Sequence, residues 1–297
     1  MQNSTSSFFS EFRALIAHSK VFISLDALLV FVCGGRENHK NPCGRDIFFN
    51  YASRHLTNYQ FIRAETVFKT FENTEQYDIL SIEDKIAQFS DCIIIILESE
   101  SAFAELGAFA IKNPLAKILL PINDEAYATE PSFINYGPIA KINKISKFKP
   151  VVYYKKERFL TSINTISQRL RTIVREHRKR VDISTFDNFN SLGPKHKLLY
   201  LRELVDFFCP LTHKELISLL ETLYGKNSYT VTFELSILEA INFIQKHNNH
   251  YITTKNTGES FIHFEKINKA TFRTKLINFY QKMRPDKMAI LTYRSTI

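Results

Sequence analysis

The sequence predicts an α/β protein in which a flavodoxin- or Rossmann-like parallel sheet is followed by a mainly helical, winged helix-turn-helix domain. In the first half, short aliphatic runs alternate with helical patterns, which is typical of a parallel sheet with right-handed crossovers. In the second half, three helical patterns precede two short apolar segments joined by a loop that contains glycine, as in a helix-turn-helix with a hairpin. A chain of 297 residues is long enough for both domains.

The parallel sheet is predicted from five strands. The aliphatic run at 93–97 contains no polar residue, which indicates a strand buried on both faces. Four other apolar segments predict the remaining strands, so the five strands are expected at 27–33, 60–63, 93–97, 117–121 and 151–154. Helices are expected at 42–56, 80–89 and 101–111. Ser101 is the expected N-cap of the third helix, and Ser81 with Asp84 the expected capping pair of the second.

The second half begins with a basic amphipathic helix at 162–180 and a polar linker at 182–193. Helices are then predicted at 197–208, at 212–223 with a capping box that starts at Thr212, and at 229–246. A hairpin is predicted between 251–254 and 261–264, and a basic helix at 266–282. These patterns divide the chain into an α/β domain at 1–160, a basic helix and linker at 161–194, and a winged-helix domain at 195–297.

Two acidic residues follow the most buried strand. Glu98 lies at its carboxyl end, and Glu105 lies about one turn into the next helix. Ligands bind at this edge of an open α/β sheet, so we expect the two carboxylates to face each other across a small cleft. Gly107, inside the same helix, costs about 1 kcal/mol relative to alanine. Its presence predicts a close approach of the backbone to a ligand or, equally, to the sheet.

Charge is distributed unevenly along the chain. Residues 1–150 carry 15 basic and 17 acidic side chains, whereas residues 151–297 carry 24 and 13. A basic half favours contact with a polyanion, although a solvated surface or a protein partner remains open. The residues expected to contact nucleic acid are Arg178, Lys179, Arg180, Lys246, Lys255, Lys266 and Lys269.

Other features exclude some classes of protein. No apolar run reaches the roughly 18 residues of a membrane span, and the N-terminus lacks a signal-peptide pattern. The four cysteines form neither a metal-ligand pair nor a dense disulfide pattern. We therefore expect a cytoplasmic protein that has no metal site and makes no contact with a membrane.

Several segments in the first half resemble the nucleoside deoxyribosyltransferase family and, more closely, the effectors of bacterial retron anti-phage systems that carry such a domain. The resemblance covers roughly residues 27–140. The segments recur in the same order as in that family: 31–35 with Asn38 and His39, 80–83, 97–99, 105–109 and 132–138.

The resemblance implies that Glu105 is a nucleophile that attacks the anomeric carbon of a ribose or deoxyribose and expels the base. Glu98, seven residues earlier, is the nearest counterpart of the acidic residue that handles the proton of the base. The residues expected to line the substrate pocket are Gly34, Gly35, Asn38, Arg63, Glu65, Ser99, Asn135 and Tyr136. The last two precede Gly137-Pro138, which predicts a turn.

The resemblance also implies a toxin-like effector that hydrolyses NAD or a related nucleotide. NAD would be a substrate, and no cofactor is expected. The expected partners are a reverse transcriptase with its multicopy single-stranded DNA–RNA hybrid, and a higher-order assembly with that complex is left open. Two other functions stay open: a nucleotide-sensing, DNA-binding regulator without catalysis, and a deoxyribosyltransferase of nucleoside salvage.

Overall fold

The computed structural model describes residues 5–24, 27–36, 42–69, 78–155, 158–174, 180–184, 188–254 and 260–296. Asn38, His39, Arg178, Lys179, Lys255 and the side chain of Arg180, all singled out above, lie outside this description. The chain divides into two compact units, one of residues 26–178 and one of residues 1–25 with 179–297. No helix in the described part is both long and apolar enough to cross a membrane.

A five-stranded parallel sheet forms the centre of the unit 26–178, which confirms the predicted parallel sheet. With strands numbered along the whole chain, its order is β3-β2-β4-β5-β6. The strands are β2 (Leu28–Cys33), β3 (Tyr59–Ile62), β4 (Cys92–Ile96), β5 (Leu119–Asp124) and β6 (Val152–Tyr154). All five residues of β4 are buried, because this strand lies in the middle of the sheet.

Helices connect these strands: α2 (Gly44–His55), α3 (Ala64–Phe68), α4 (Ile79–Phe89), α5 (Glu100–Ile111), α6 (Asn113–Ala116) and α7 (Ala140–Ile145). Helix α8 (Phe159–Val174) follows the last strand of this sheet, β6. Helix α8 is the predicted basic helix. Its apolar residues, such as Ile163, Ile166 and Leu170, are buried in the core with β4 and β5. Amphipathic spacing thus joins α8 to this unit.

Two helix starts differ from those predicted. The N-cap of α5 is Ser99, whose hydroxyl accepts from the N–H of Ala102, and Ser101 lies inside the helix. The N-cap of α4 is Asp78, whose carboxylate accepts from both the N–H and the hydroxyl of Ser81. A carboxylate accepts two hydrogen bonds here, which explains why Asp78 takes the cap.

The other unit contains α1 (Thr5–Ala17) and two three-stranded antiparallel sheets. One has the order β11-β1-β7, from Ile262–Phe264, Val21–Ser24 and Arg180–Asp182, and the other the order β8-β10-β9, from Leu211–Thr212, His250–Thr253 and Ile244–His247. Its remaining helices are α9 (Pro194–Phe208), α10 (His213–Tyr224), α11 (Thr232–Ala240), α12 (Lys269–Met283) and α13 (Pro285–Thr296).

The N-terminal segment belongs with the C-terminal half, whereas the sequence placed it in the α/β domain. Phe12 of α1 lies 5.0 Å from Phe207 and 5.6 Å from Phe272 between ring centroids. Strand β1 also pairs with both β7 and β11. Buried aromatic packing and strand pairing therefore fix this segment in the second unit.

The predicted hairpin is wrong. The segment at 251–254 was expected to pair with 261–264, but β10 pairs with β9 and β11 pairs with β1. The predicted third helix at 229–246 is correspondingly shorter, because its last residues form β9. Asn248 and Asn249 join β9 to β10 with φ values of 45° and 60°, the conformation of a tight two-residue hairpin turn that asparagine tolerates.

Candidate active site and basic surface

The candidate site lies where β2 and β4 end side by side. From these two strands the sheet continues outward in opposite directions, to β3 on one side and β5 on the other. Such a change of direction leaves a crevice at the carboxyl ends of the strands. Gly34 and Gly35 follow β2, and Glu98 follows β4 by two residues, so their backbones meet at this crevice.

Glu98 is bound by three backbone N–H groups. Its Oε1 accepts from Gly35 at 2.9 Å and from Arg45 at 3.1 Å, and its Oε2 accepts from Gly44 at 2.6 Å. Gly44 and Arg45 form the first turn of α2, where unpaired N–H groups and the helix dipole favour an anion. The carboxylate of Glu98 therefore connects the turn after β2 to the start of α2.

The glycines beside Glu98 leave room for its side chain. A Cβ on Gly34 or Gly35 would lie 3.1 Å from Oε1 of Glu98, and one on Gly44 would lie 2.9 Å from Oε2. Such distances are too short for an undisturbed contact. Gly34 and Gly35, predicted to admit a ligand, thus admit the Glu98 carboxylate.

Glu105 has different neighbours. It follows the first turn of α5, so the helix dipole stabilises its anion little. Its Oε2 is buried and has no hydrogen-bond partner among the described residues. Burial raises the pKa of Glu105 to about 7, although a hydrogen bond with the Cys33 thiol and the positive charge of Arg45 oppose this shift. Glu105 is a partly desolvated carboxylate that titrates near neutral pH.

A second acid, Glu83 of α4, lies within electrostatic reach of Glu105. Only 8% of Glu83 is exposed. Burial first, and then the negative charges of Glu105 and Glu65, raise the pKa of Glu83 to about 8, while Arg45 opposes the shift. Sequence reasoning did not single out Glu83 as a site residue, although it lies on the buried face of an amphipathic helix beside Ile82 and Ile86, an unusual position for an acid.

Arg45 provides the positive charge of this cluster. Its side chain is 5% exposed, and its Nη2 lies 2.7 Å from Oε1 of Glu65. Arg63 lies 3.8 Å from Asp46 and 4.0 Å above the ring of Phe49. The predicted pocket residues Arg63 and Glu65 are therefore held by neighbouring side chains next to the cluster.

A separate cavity of about 390 Å³ opens at the ends of β4, β5 and β6. Glu98 and Asn135 line it, but Glu105 is not among the described lining residues. The amide of Asn135 donates to the carbonyls of Tyr127 and Glu130, both at 2.8 Å, and its Oδ1 is buried without a described partner. The remaining lining residues are Leu97, Phe103, Asn123, Asp124, Tyr127, Glu130, Ser132, Ile134 and Tyr154.

Other predicted pocket residues have different surroundings. Tyr136 is 74% exposed. It belongs to a π-helical segment, Asn135–Ile139, that contains Pro138 and runs into α7, so the turn predicted there is wrong. Ser99 caps α5 and lies 3.0 Å from the hydroxyl of Ser101. A Cβ on Gly107 would meet no described atom within 4 Å, so close packing of Gly107 against the sheet is wrong, and its close approach to a ligand stays a prediction.

The predicted phosphate-binding lysines divide into two kinds. Lys246 of β9 and Lys266, between β11 and α12, are exposed. The ammonium of Lys269 instead lies 2.6 Å from Asp206 and 3.0 Å from Glu203, which is 1% exposed. Burial opposes ionisation of Asp206, but Lys269 and Arg202 hold its pKa well below the usual range. Lys269 thus neutralises buried acids and is not a free cation for phosphate.

Comparison with known proteins identifies the class to which this fold and site belong. Residues 41–246 match the model of the STM3845 retron effector protein family. The match covers more than half of the chain, so the chain belongs to this family of retron effectors. This finding confirms the predicted resemblance to retron effectors.

Two Escherichia coli relatives are similar to this chain. The retron Ec73 putative ribosyltransferase/DNA-binding protein is 30% identical over 283 residues, which is 88% of this chain and 87% of the relative. The retron Ec86 putative ribosyltransferase/DNA-binding protein is 39% identical over 71 residues, which is 24% of this chain and 23% of the relative. Both names ascribe ribosyl transfer and DNA binding to those two retron proteins.

Proposed function

We propose that this retron effector cleaves the N-glycosidic bond of NAD or a related nucleotide, with Glu105 as the nucleophile. The buried Oε2 of Glu105, without a described partner, is the observation that carries this proposal. Ionised Glu105 attacks the anomeric carbon, the bond to the base breaks with its electrons on the base nitrogen, and a glycosyl ester forms. Water then hydrolyses the ester and restores the carboxylate.

Glu83 is the proton-transfer residue of this mechanism. A purine or pyrimidine would leave an uncharged nucleoside as an anion unless it receives a proton. A buried acid that is still protonated at neutral pH can supply that proton. The same residue, once deprotonated, can take a proton from the water that attacks the ester. Glu98, predicted for this role, accepts hydrogen bonds with both carboxylate oxygens, so it is less free to donate a proton than Glu83.

The decisive measurement is base release by the purified chain, alone and with its retron partners, from NAD and from deoxynucleosides. We expect Glu105→Gln to lose about a thousandfold or more in rate, because an amide cannot form the ester. Glu105→Gln that keeps the full rate would remove Glu105 from the mechanism. Binding of a nucleotide without base release would favour the sensor, and transfer to a second base would favour the salvage enzyme.

Glu83→Gln separates the two kinds of substrate. The nicotinamide of NAD leaves as a neutral molecule and needs no proton, whereas a purine or pyrimidine does. With NAD, we expect Glu83→Gln to release one nicotinamide per protein rapidly and then stall at the ester. With a deoxynucleoside, the first turnover itself should slow. A wild-type rate with both substrates would exclude Glu83 from proton transfer.

We further propose that the segment from α9 to β10 is a winged helix-turn-helix that binds the reverse transcriptase–DNA complex of the retron. Its order is helix, strand, helix, helix, strand and strand, with β8, β10 and β9 in one antiparallel sheet. Helix α11 is largely buried and carries Glu234 and Glu239 but no lysine or arginine. It is therefore a poor reader of DNA, and the exposed Lys246 of the β9–β10 hairpin suits phosphate contact better.

A further inference from the structure

The three N–H contacts of Glu98 connect two segments that frame the candidate active site. One donor, Gly35, belongs to the turn after β2, and the other two, Gly44 and Arg45, belong to the first turn of α2. Hydrogen bonds from N–H groups to a carboxylate are stronger than neutral ones. Glu98 therefore fixes where α2 begins relative to the end of β2.

Arg45 transmits this constraint to the acids of the site. Its backbone N–H binds Glu98, and its buried guanidinium binds Glu65 at 2.7 Å. The same guanidinium acts electrostatically on Glu105 and Glu83 and favours the ionised form of each. A displacement of the first turn of α2 would move this positive charge relative to the nucleophile.

We propose that Glu98 is a positioning residue, whose carboxylate holds the start of α2 and so keeps the Arg45 guanidinium within electrostatic reach of Glu105. This inference rests on the proposed function, since it gives the guanidinium a part in the chemistry of Glu105. It also accounts for glycine at positions 35 and 44, where a Cβ would lie within 3.1 Å of a Glu98 oxygen.

The test compares Glu98→Gln with wild type in the full-length protein, using base release as a function of pH. Without the carboxylate, Arg45 is less well placed to stabilise ionised Glu105. The acid limb of the profile should move to higher pH by about one unit, the shift typical of an opposite charge nearby. A substrate with an activated leaving group, such as a nitrophenyl riboside, should not restore the lost rate, because no proton donor has been removed.

Asp91→Asn is the matched control. Asp91 also accepts from a backbone N–H, that of Leu29 at 2.8 Å, but at the opposite end of β4. It should lower the free energy of unfolding without moving the acid limb. If Glu98→Gln behaves as Asp91→Asn does, or if the activated substrate restores its rate, the positioning role is excluded; restoration would identify Glu98 as the proton donor instead.

A second measurement does not need enzymatic activity. In protein with ¹³C-labelled glutamate carboxyl groups, the Glu105 signal is assigned by its loss in Glu105→Gln and titrated by NMR. Glu98→Gln should raise the titration midpoint of Glu105, and an unchanged midpoint would overturn the inference. Because the titration can be read even if no substrate is cleaved, failure of the proposed function and failure of the positioning role are distinguishable.

Discussion

At the scale of single residues, burial decides the ionisation of the candidate site. Glu83 and Glu105 lose hydration at the ends of the central strands, and only Arg45 offers them a nearby positive charge among the described groups that shift their pKa values. Glu98, two residues beyond β4, instead receives three N–H donors. Glu98 and Glu105 are seven residues apart, yet Glu98 receives three N–H donors and Glu105 loses hydration. Different environments of this kind allow one carboxyl group of a site to act as an acid and another as a base.

The pH dependence of the proposed reaction follows from these environments. Since the pKa of Glu105 is about 7, the rate should rise through neutral pH as the nucleophile ionises. Since the pKa of Glu83 is about 8, the rate with a deoxynucleoside should fall above that pH as the proton donor is lost. The two apparent values belong to the coupled pair, and a pH profile of kcat/KM measures both.

Glu83→Gln provides the control for this profile. It should remove the alkaline limb and leave the acid limb near its wild-type position, because Glu83 is still protonated in the pH range where Glu105 ionises. A profile that keeps both limbs would assign the alkaline limb to another group. A flat profile through pH 7 in the wild-type protein would contradict a neutral-range pKa for the nucleophile.

Part of this residue-scale picture is readable from the sequence. Glu105 and Glu98 were identified as site candidates because they follow a run of aliphatic residues, and the local pattern places them at the sheet edge. Glu83 and Arg45 were not, because their neighbours come from other elements of the chain. An acid on the apolar face of α4 was the available signal, and only the fold brings Glu83 within electrostatic reach of Glu105.

At the scale of elements, two helical glycines differ in the space that a side chain would have. Gly44 opens α2 against Glu98 and the ring of Phe159, to which a Cβ would come within 3.1 Å. Gly107 lies inside α5, where a Cβ would meet no described atom within 4 Å. The same residue type therefore has opposite consequences at the two positions.

Alanine at these two positions should change stability in opposite directions. Gly107→Ala removes backbone entropy from the unfolded chain and should stabilise the protein by about 1 kcal/mol. Gly44→Ala forces Glu98 or Phe159 to move and should destabilise it by about 1–3 kcal/mol. Urea unfolding midpoints measure both changes, and a destabilising Gly107→Ala would show that its Cβ meets an atom outside the described residues.

Helices and strands with a strong pattern were predicted well, and elements that depend on distant partners were not. The capping box at Thr212 starts α10 as predicted, with Glu215 accepting from the Thr212 N–H at 2.9 Å. The strand at 262–264 was predicted from the sequence, but the strand that pairs with it is β1, more than 200 residues earlier. Periodicity reports which face of a segment is buried, and it does not report which element covers that face.

At the scale of the whole molecule, the sequence shows the charge asymmetry directly, but it did not predict the unit to which the N-terminal segment belongs. Residues 1–25 are separated from their unit by more than 150 residues, and no local pattern predicts such pairing. Their association depends on Phe8, Phe9 and Phe12, which are nearly fully buried. The position of a terminal segment in the sequence therefore does not predict the unit to which it belongs, because its aromatic residues can pack against residues from the other end of the chain.

The excess positive charge of the second half leads to a prediction for binding of nucleic acid. Lys246 and Lys266 are exposed, so each can displace a counterion from a phosphate. Replacing both with glutamine should reduce the slope of log K against log salt by about 2 for a labelled DNA duplex.

Double substitution of Lys117 and Lys144, exposed lysines of the other unit, is the matched control. It changes the net charge equally and should leave the slope nearly unchanged. Equal effects of the two double variants would mean that net charge alone attracts DNA, and unchanged slopes in both would assign the lysine surface of the second unit to a protein partner.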